Sequence, residues 1–319
     1  MTHNFRSSTF SLLIRVAVPT ILLYFVFQMV SLESVVRAFR SADPVMICVG
    51  ICIVIPAFAV RIHAWHLLLN SEQRRVGWRE SAASFLVGQS FGFITPGGLG
   101  DFLVRGTTIK SIPNRIVIGL TLLDNALLFI FVAATGLAAL GLLFAAEYIR
   151  WILVALPLCL LLILYANIRI VLSKGVSLVQ RIPFIADISS KLSGVPAVSS
   201  WVLFQCFLLT GVFLILEYFQ VYILIRSFSD SSFVPVAVAY AVVLFVKFAV
   251  PFAAGDLGVR EISSVYLFTS IGISEGVALN AALIHFLSNN ILPALIGGWI
   301  FLTRKSASQP AQALNEPAV

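Results

Sequence analysis

Long apolar runs separated by short polar segments dominate this chain. A helix needs about 20 residues to cross the roughly 30 Å of hydrocarbon in a bilayer. Six runs reach about that length, and we expect each of them to form a transmembrane helix. They cover residues 11–30, 45–69, 115–143, 151–168, 200–225 and 277–302. Two further apolar regions, 81–112 and 233–270, are each interrupted by proline and glycine.

The two interruptions carry one pattern, P-x-x-x-G-D-x-x-x-R. It runs from Pro96 to Arg105 and returns from Pro251 to Arg260, at an offset of 155 residues in a chain of 319. Because proline, glycine, aspartate and arginine all coincide at one offset, the pattern indicates an internal duplication. The predicted units are a first membrane repeat, a second membrane repeat and a disordered tail, in residues 1–155, 156–305 and 306–319.

Each interruption predicts a helix hairpin instead of a simple span. Proline and glycine break helices, and non-helical backbone survives at membrane depth only where protein or water satisfies its polar groups. We therefore expect two re-entrant hairpins whose tips line a cavity. A helix–loop–helix at the surface, with an Asp–Arg pair across the loop, is the alternative.

The composition places the chain in a membrane. Hydrophobic residues make up 60% and charged residues 11% of the sequence, which predicts an all-α polytopic membrane protein. The net charge of +7 then reflects basic cytoplasmic loops and not a nucleic-acid partner. With the N-terminus inside, the inner segments contain thirteen lysines and arginines and the outer loops contain four. We expect an inner-membrane protein with both termini in the cytoplasm.

The number of spans predicts how the two repeats relate to each other. Three full spans in each repeat is an odd number, so the second repeat would be inserted upside down, as in many transporters. The first hairpin would then enter from the cytoplasm and the second from outside, with tips that meet near the midplane. If both hairpins crossed the membrane fully, the repeats would be parallel.

Ionisable residues within the apolar runs are candidates for function, because charge is costly in hydrocarbon. Arg61 and Asp124 lie at one depth, about 12–14 Å from the inner ends of their helices, and form a candidate pair. Arg61 could instead extend toward the cytoplasmic interface. Glu217 and His285 lie at similar outer depths and form a second candidate pair.

Catalytic motifs are missing from the sequence. It contains no nucleophile elbow, no H-E-x-x-H and no P-loop. We therefore expect a protein that is not an enzyme and that uses no cofactor and no metal.

At the two interruptions the chain resembles the lysylphosphatidylglycerol synthase transmembrane, or flippase-like domain, family, here without the synthase domain. The resemblance covers roughly residues 10–303. It rests on the first Pro-Gly-rich copy and on a second copy of the form G-x-L-G-x-R-E, from Gly255 to Glu261. Asp101 stands where this family usually has glutamate, and Asp256 stands where it often has glycine. The resemblance implies lipid handling without specifying the lipid.

The predicted function is a lipid flippase or transporter that moves or shields a polar, anionic, phosphate-bearing headgroup. Arg105 and Arg260 would bind the phosphate, while Asp101, Asp256 and Glu261 would hold those arginines when no lipid is bound. The predicted substrate-binding set comprises Arg105, Arg260, Asp101, Asp256, Glu261, Pro96, Gly97, Gly98, Gly100, Gly255 and Gly258, and the supporting pairs comprise Arg61, Asp124, Glu217 and His285.

Two other functions fit the same sequence. One is a non-transporting membrane partner that presents lipid to a synthase or glycosyltransferase, and the other is a small-solute carrier. The partners expected for the main prediction are a membrane lipid and a lipid-modifying enzyme.

Overall fold

A computed structural model describes residues 32–71, 75–95, 98–109, 111–168, 198–250 and 258–307, and within them the regular structure is entirely helical. The predicted first span, 11–30, lies outside the described residues, and so does the predicted tail beyond residue 307. Pro96, Gly97, Gly255 and Asp256 also lie outside them.

The α-helices of the described residues follow one another in a simple order. They are α1 (Leu32–Arg40), α2 (Pro44–Cys52), α3 (Val54–Leu69), α4 (Trp78–Ile94), α5 (Leu99–Val104), α6 (Asn114–Phe144), α7 (Glu147–Ala166), α8 (Ser200–Arg226), α9 (Phe233–Ala249), α10 (Val259–Ser270), α11 (Glu275–Phe286) and α12 (Leu292–Ala307). A 3₁₀ turn at Arg105–Thr108 follows α5, and a π-helical turn at Leu287–Ile291 joins α11 to α12. Below, α1–α6 are the first half and α8–α12 the second half.

Several helices are long and apolar enough to cross a membrane. In the described part of the chain these stretches are Pro44–Leu69, Asn114–Phe144, Ile149–Ala166, Ser200–Arg226 and Glu275–Thr303. They confirm five of the six predicted spans and the all-α membrane class. Phe233–Ala249 is a shorter apolar helix.

Helix boundaries repeat at the offset seen in the sequence. Adding 155 to the bounds of α4, Trp78–Ile94, gives the bounds of α9, Phe233–Ala249. The same offset carries Pro44–Leu69 to within two residues of Ser200–Arg226. Equivalent helices therefore precede the two interruptions of the chain.

The chain reverses direction at the first interruption, where α5 packs back along α4. The Ser84 hydroxyl of α4 donates to the backbone oxygen of Arg105 at 2.8 Å. Gly98 has a φ of 69°, a conformation that a side chain disfavours. The Thr95 hydroxyl accepts from the Gly100 N–H at 2.7 Å, which caps the return helix. These contacts hold α4 and α5 as an antiparallel helix pair, as both the re-entrant hairpin and the helix–loop–helix alternative require.

The described helices pack around two hydrophobic clusters. The first-half cluster includes Trp65 and Leu120, and the second-half cluster includes Leu224 and Val243. Helix α6 contributes to both, through Leu127 and its neighbours in one and through Val132 and Ala139 in the other. Helix α6 of the first half therefore packs into both clusters and connects the two halves.

We expect Gly88→Ala to destabilise the protein, because a Cβ at this position of α4 would collide with Asp101 Oδ1 and Arg105 Cγ. The collision would displace a buried ion pair, whose disruption costs about 3–5 kcal/mol. Alanine gains only about 1 kcal/mol over glycine within a helix. Thermal unfolding of the purified protein in detergent measures the difference.

The matched control is Gly77→Ala, because no atom lies within 4 Å of the Cβ that this change would add. Its cost should stay at about 1 kcal/mol or less. Equal unfolding temperatures for the two variants would contradict the proposed packing of α5 on α4.

Candidate functional site

A cavity of about 460 Å³ lies between the first and second halves. Seven phenylalanines contribute to its apolar lining. Its polar lining consists of Arg61, Gln89, Thr95, Asp101 and Asn125 from the first half and Glu217, Tyr240, Lys247, His285, Asn289 and Asn290 from the second half. Both halves therefore present charge and hydrogen-bonding groups to one shared cavity.

The first-half wall is built on a charged network. Arg105 Nε donates to Asp101 Oδ1 at 2.6 Å and Arg105 Nη2 donates to Oδ2 at 2.8 Å, a two-bond fork. Arg105 Nη1 donates to Asp124 Oδ2 at 3.1 Å, and the same oxygen accepts from Arg61 Nη2 at 3.0 Å. Asn125 Nδ2 donates to Asp101 Oδ2 at 3.3 Å. Two cations and two carboxylates thus compensate one another within this network.

Arg105 lies behind the wall and does not line the cavity. Its side chain is completely buried, and its guanidinium carbon lies 4.7 Å and 4.8 Å from the ring centres of Trp65 and Phe85. All three of its guanidinium nitrogens donate to Asp101 or Asp124. In this structure Arg105 orients Asp101, which does line the cavity. A direct contact between Arg105 and a phosphate stays a prediction.

The second-half wall is built around His285. Its Nε2 lies 3.2 Å from Glu217 Oε2 and 3.1 Å from the Tyr240 hydroxyl. Its Nδ1 lies 3.4 Å from Arg260 Nη1. Because a guanidinium can only donate, Nδ1 accepts, and the ring proton is left on Nε2 facing Glu217. When the Asn290 amide is oriented with its oxygen toward Arg260, that oxygen accepts from Nη2 at 2.7 Å.

Arg260 occupies the place in the second half that Arg105 occupies in the first. It is buried, its guanidinium carbon lies 5.0 Å from the Phe286 ring centre, and it does not line the cavity. Glu261 does not pair with it in the described part of the chain. Instead, Glu261 Oε2 accepts from the Gly258 N–H at 2.6 Å and caps α10, where Gly258 has a φ of 89°.

The structure brings both predicted supporting pairs together. Arg61 meets Asp124 in the first wall, and Arg61 is buried instead of extending to the interface. Glu217 meets His285 in the second wall. Of the predicted glycines, Gly98 lines the cavity and Gly100 packs against the backbone oxygen of Phe91.

Several lining residues were missed by the sequence reasoning. Tyr240 bonds to the Glu217 carboxylate, and the repeat offset could have drawn attention to it, because it is the counterpart of Phe85 beside Arg105. The π-helical turn presents Asn289 to the cavity, and Asn289 Nδ2 donates to Gln220 Oε1 at 2.9 Å. Such turns are irregular, and they occur often at functional sites.

A protein-family model, the lysylphosphatidylglycerol synthase TM region, matches residues 12–297. The match includes both walls of the cavity and both copies of the interrupted pattern. No curated protein matches the chain significantly.

The first-half network predicts unequal costs for removing its members. Asp124→Leu should be more destabilising than Arg61→Leu, because Asp124 accepts from two arginines. Removing one partner of a buried ion pair costs about 3–5 kcal/mol. Arg61→Leu combined with Asp124→Leu should cost less than the sum of the two single changes. The yield of monodisperse protein and its thermal unfolding report these differences.

Arg37→Leu serves as the control, because Arg37 pairs with Glu33 on α1 and both side chains are largely exposed. Its loss should have little effect. Full additivity of the Arg61 and Asp124 changes would mean that these residues do not interact.

Proposed function

The chain belongs to the lysylphosphatidylglycerol synthase transmembrane family, and we propose that it is a flippase-type lipid transporter, not an enzyme. In this proposal the cavity receives or shields a polar headgroup, with an anionic phosphate as the preferred chemistry. The protein would act in the inner membrane with both termini in the cytoplasm. The observation that carries the proposal is that this cavity, lined by charged and polar side chains, also exposes an aromatic side chain at the middle of a membrane-spanning helix.

That side chain is Phe129. It lies at the centre of Asn114–Phe144, it lines the cavity, and 50% of its surface is exposed. Phe248 of α9 lines the same cavity, with ring centres 6.3 Å apart. The exposed Phe129 ring at the cavity wall supports a route at this level by which acyl chains stay in the bilayer while the headgroup enters the cavity.

The chemistry of the walls supports a polar guest. Asp101, Arg61 and Asn125 on one side, with Glu217 and Lys247 on the other, replace hydrogen bonds that a headgroup loses on leaving water. A small-solute carrier would instead need a cavity closed toward the hydrocarbon. The exposed Phe129 ring therefore favours a lipid.

We further propose that the two halves form an inverted repeat with re-entrant hairpins. The shared offset of α4 and α9, and the antiparallel packing of α5 on α4, support this arrangement. Two mirrored halves around one central site would allow the cavity to open to each side in turn.

Cysteine labelling tests this topology. In a background without Cys48, Cys52, Cys159 and Cys206, the exposed positions Arg79 and Ser111 flank the first hairpin. Arg79→Cys and Ser111→Cys should both react with an impermeant maleimide from the cytoplasm.

The exposed position Asp230 precedes α9, and Asp230→Cys should react with the same reagent only from outside. Reaction of Arg79→Cys and Ser111→Cys from opposite sides would contradict the hairpin and the inverted repeat.

Reconstitution into liposomes tests the transport function. We expect the protein to accelerate movement of fluorescent phosphatidylglycerol between leaflets, measured by chemical quenching with and without a pH gradient. Protein-free liposomes are the control. Efflux of trapped glycerol 3-phosphate without lipid movement would identify a small-solute carrier. Lipid binding with neither activity would favour the non-transporting partner that presents lipid.

A further inference from the structure

We propose that the Glu217–His285 pair takes up one proton when an anionic headgroup enters the cavity, so that proton binding and lipid binding reinforce each other. The inference rests on the proposed function for the identity of the ligand. Its physical basis is the position of one carboxylate at the cavity wall and the charges of the groups around it.

Glu217 directs only one of its two carboxylate oxygens at protein partners. It lines the cavity, and its side chain is 9% exposed. The hydrogen bonds that it receives in the described part of the chain come from His285 Nε2 and the Tyr240 hydroxyl, and both reach Oε2. A proton arriving from water in the cavity would therefore bind at Oε1.

His285 offers this proton no comparable position. Its Nε2 already carries a proton toward Glu217, and its Nδ1 accepts from Arg260 Nη1 at 3.4 Å. A proton on Nδ1 would face a guanidinium N–H and repel Arg260 from the ring. Uptake at Glu217 Oε1 breaks no described hydrogen bond, because the carboxylate becomes a neutral carboxylic acid while the imidazole keeps its proton on Nε2.

The carboxylates of the first-half wall are held by arginines. Asp101 receives two bonds from Arg105. Asp124 receives one bond from Arg105 and one from Arg61. A guanidinium bound directly to a carboxylate stabilises its charged form. Glu217 differs from both aspartates, because its hydrogen bonds come from a neutral imidazole and a neutral phenol.

The groups that surround the Glu217–His285 pair carry both signs of charge. They are Arg61 of α3, which contacts Phe213 of α8 and pairs with Asp124 of α6, Asp101 across the cavity, Tyr218 of α8, Tyr240 and Lys247 of α9, and Arg260 of α10. On α1, which bonds to α11 through Val35 and Asn280, the charged side chains Glu33, Arg37 and Arg40 are exposed. The charges of Arg260 and Lys247 act on Glu217, whose negative charge offsets them in turn.

An anionic headgroup changes this balance. It adds negative charge to the cavity that Glu217 lines, where two anions repel strongly because the surroundings are apolar. Protonation of Glu217 removes the repulsion, so the headgroup favours the proton and the proton favours the headgroup to the same extent. A transporter with this property would move a proton together with the lipid.

Binding of fluorescent phosphatidylglycerol to the purified protein at a series of pH values tests the linkage. Affinity should rise as the pH falls, by at most about tenfold per pH unit for one linked proton. A pH-indicator dye in weakly buffered detergent should report proton uptake when phosphatidylglycerol is added, and none when diacylglycerol with the same acyl chains is added. The phosphodiester of the lipid stays ionised throughout, so the proton binds to the protein.

Glu217→Gln identifies the residue that takes up the proton, because an amide resembles the protonated acid in shape and charge. The variant should show no proton uptake, and at high pH it should bind phosphatidylglycerol as tightly as the wild-type protein does at low pH. A purely structural role for Glu217 would instead lower the affinity at every pH. The matched control is Glu33→Gln on the exposed face of α1, which should keep the wild-type uptake and pH dependence.

The inference is overturned if the wild-type protein binds phosphatidylglycerol with no proton uptake and at an affinity independent of pH, a result that leaves the lipid function standing. It is also overturned if Glu217→Gln keeps the wild-type uptake. The comparison of the two lipids uses the wild-type protein alone, so it decides the question even if the variant does not fold.

Glycerophosphoglycerol, the headgroup of phosphatidylglycerol without its acyl chains, separates this inference from the proposed function. If it binds with a proton uptake that depends on Glu217 while neither lipid binds, the linkage stands and the lipid function fails. If neither the lipids nor this headgroup bind, both are overturned.

Discussion

The pairing of Arg105 with Asp101 is the interaction on which the cavity depends. A guanidinium buried within a membrane helix bundle is costly unless carboxylates compensate it. Asp101 compensates Arg105 through two bonds, and Asp124 adds a third. Through Asp124 the network continues to Arg61, so it joins the return arm of the hairpin to α6 and α3. The orientation of the Asp101 carboxylate at the cavity wall follows from these bonds.

The second half compensates its buried guanidinium with different groups. Arg260 is buried like Arg105, but in the described residues its partners are His285 and the Asn290 amide. Glu261, the acid adjacent to it, caps α10 instead. Positions 105 and 260, one repeat offset apart, therefore both carry a buried arginine, while the partners of the two arginines differ. A ligand between the two halves would meet Asp101 and Arg61 on one side, and Glu217 with a histidine, a tyrosine, a lysine and amides on the other.

Much of this architecture could be predicted from the sequence because its physical causes are local. The lengths of the apolar runs predicted the membrane-spanning helices. The depths of the charged residues along those helices predicted the pairs Arg61–Asp124 and Glu217–His285, which the structure forms. The bond from Arg105 to Asp124 could not be predicted, because it depends on where the hairpin reverses and how α5 packs against α6. Charge alone suggested Arg105 as a ligand contact, whereas only the packed structure reveals that each of its three nitrogens already donates to a carboxylate.

The capping role of Glu261 was overlooked for a different reason, because the sequence does contain the pattern that predicts it. Glu261 lies three positions after Gly258, the N-cap of α10, which is the spacing of a capping box, but the residue was interpreted as a partner of Arg260. The exposure of Phe129 could not be read from its sequence position, since a phenylalanine in a long apolar run is equally compatible with a core and a lipid-facing site.

The central claim is that a lipid headgroup occupies the cavity while its tails leave beside Phe129. A cryo-electron microscopy map of the protein in phosphatidylglycerol nanodiscs tests it most directly. We predict headgroup density between the Asp101 and Glu217 walls, continuous with tail density that leaves the cavity beside Phe129. A cavity containing only water-sized density, with ordered lipid confined to the outer surface of the helices, would contradict the account.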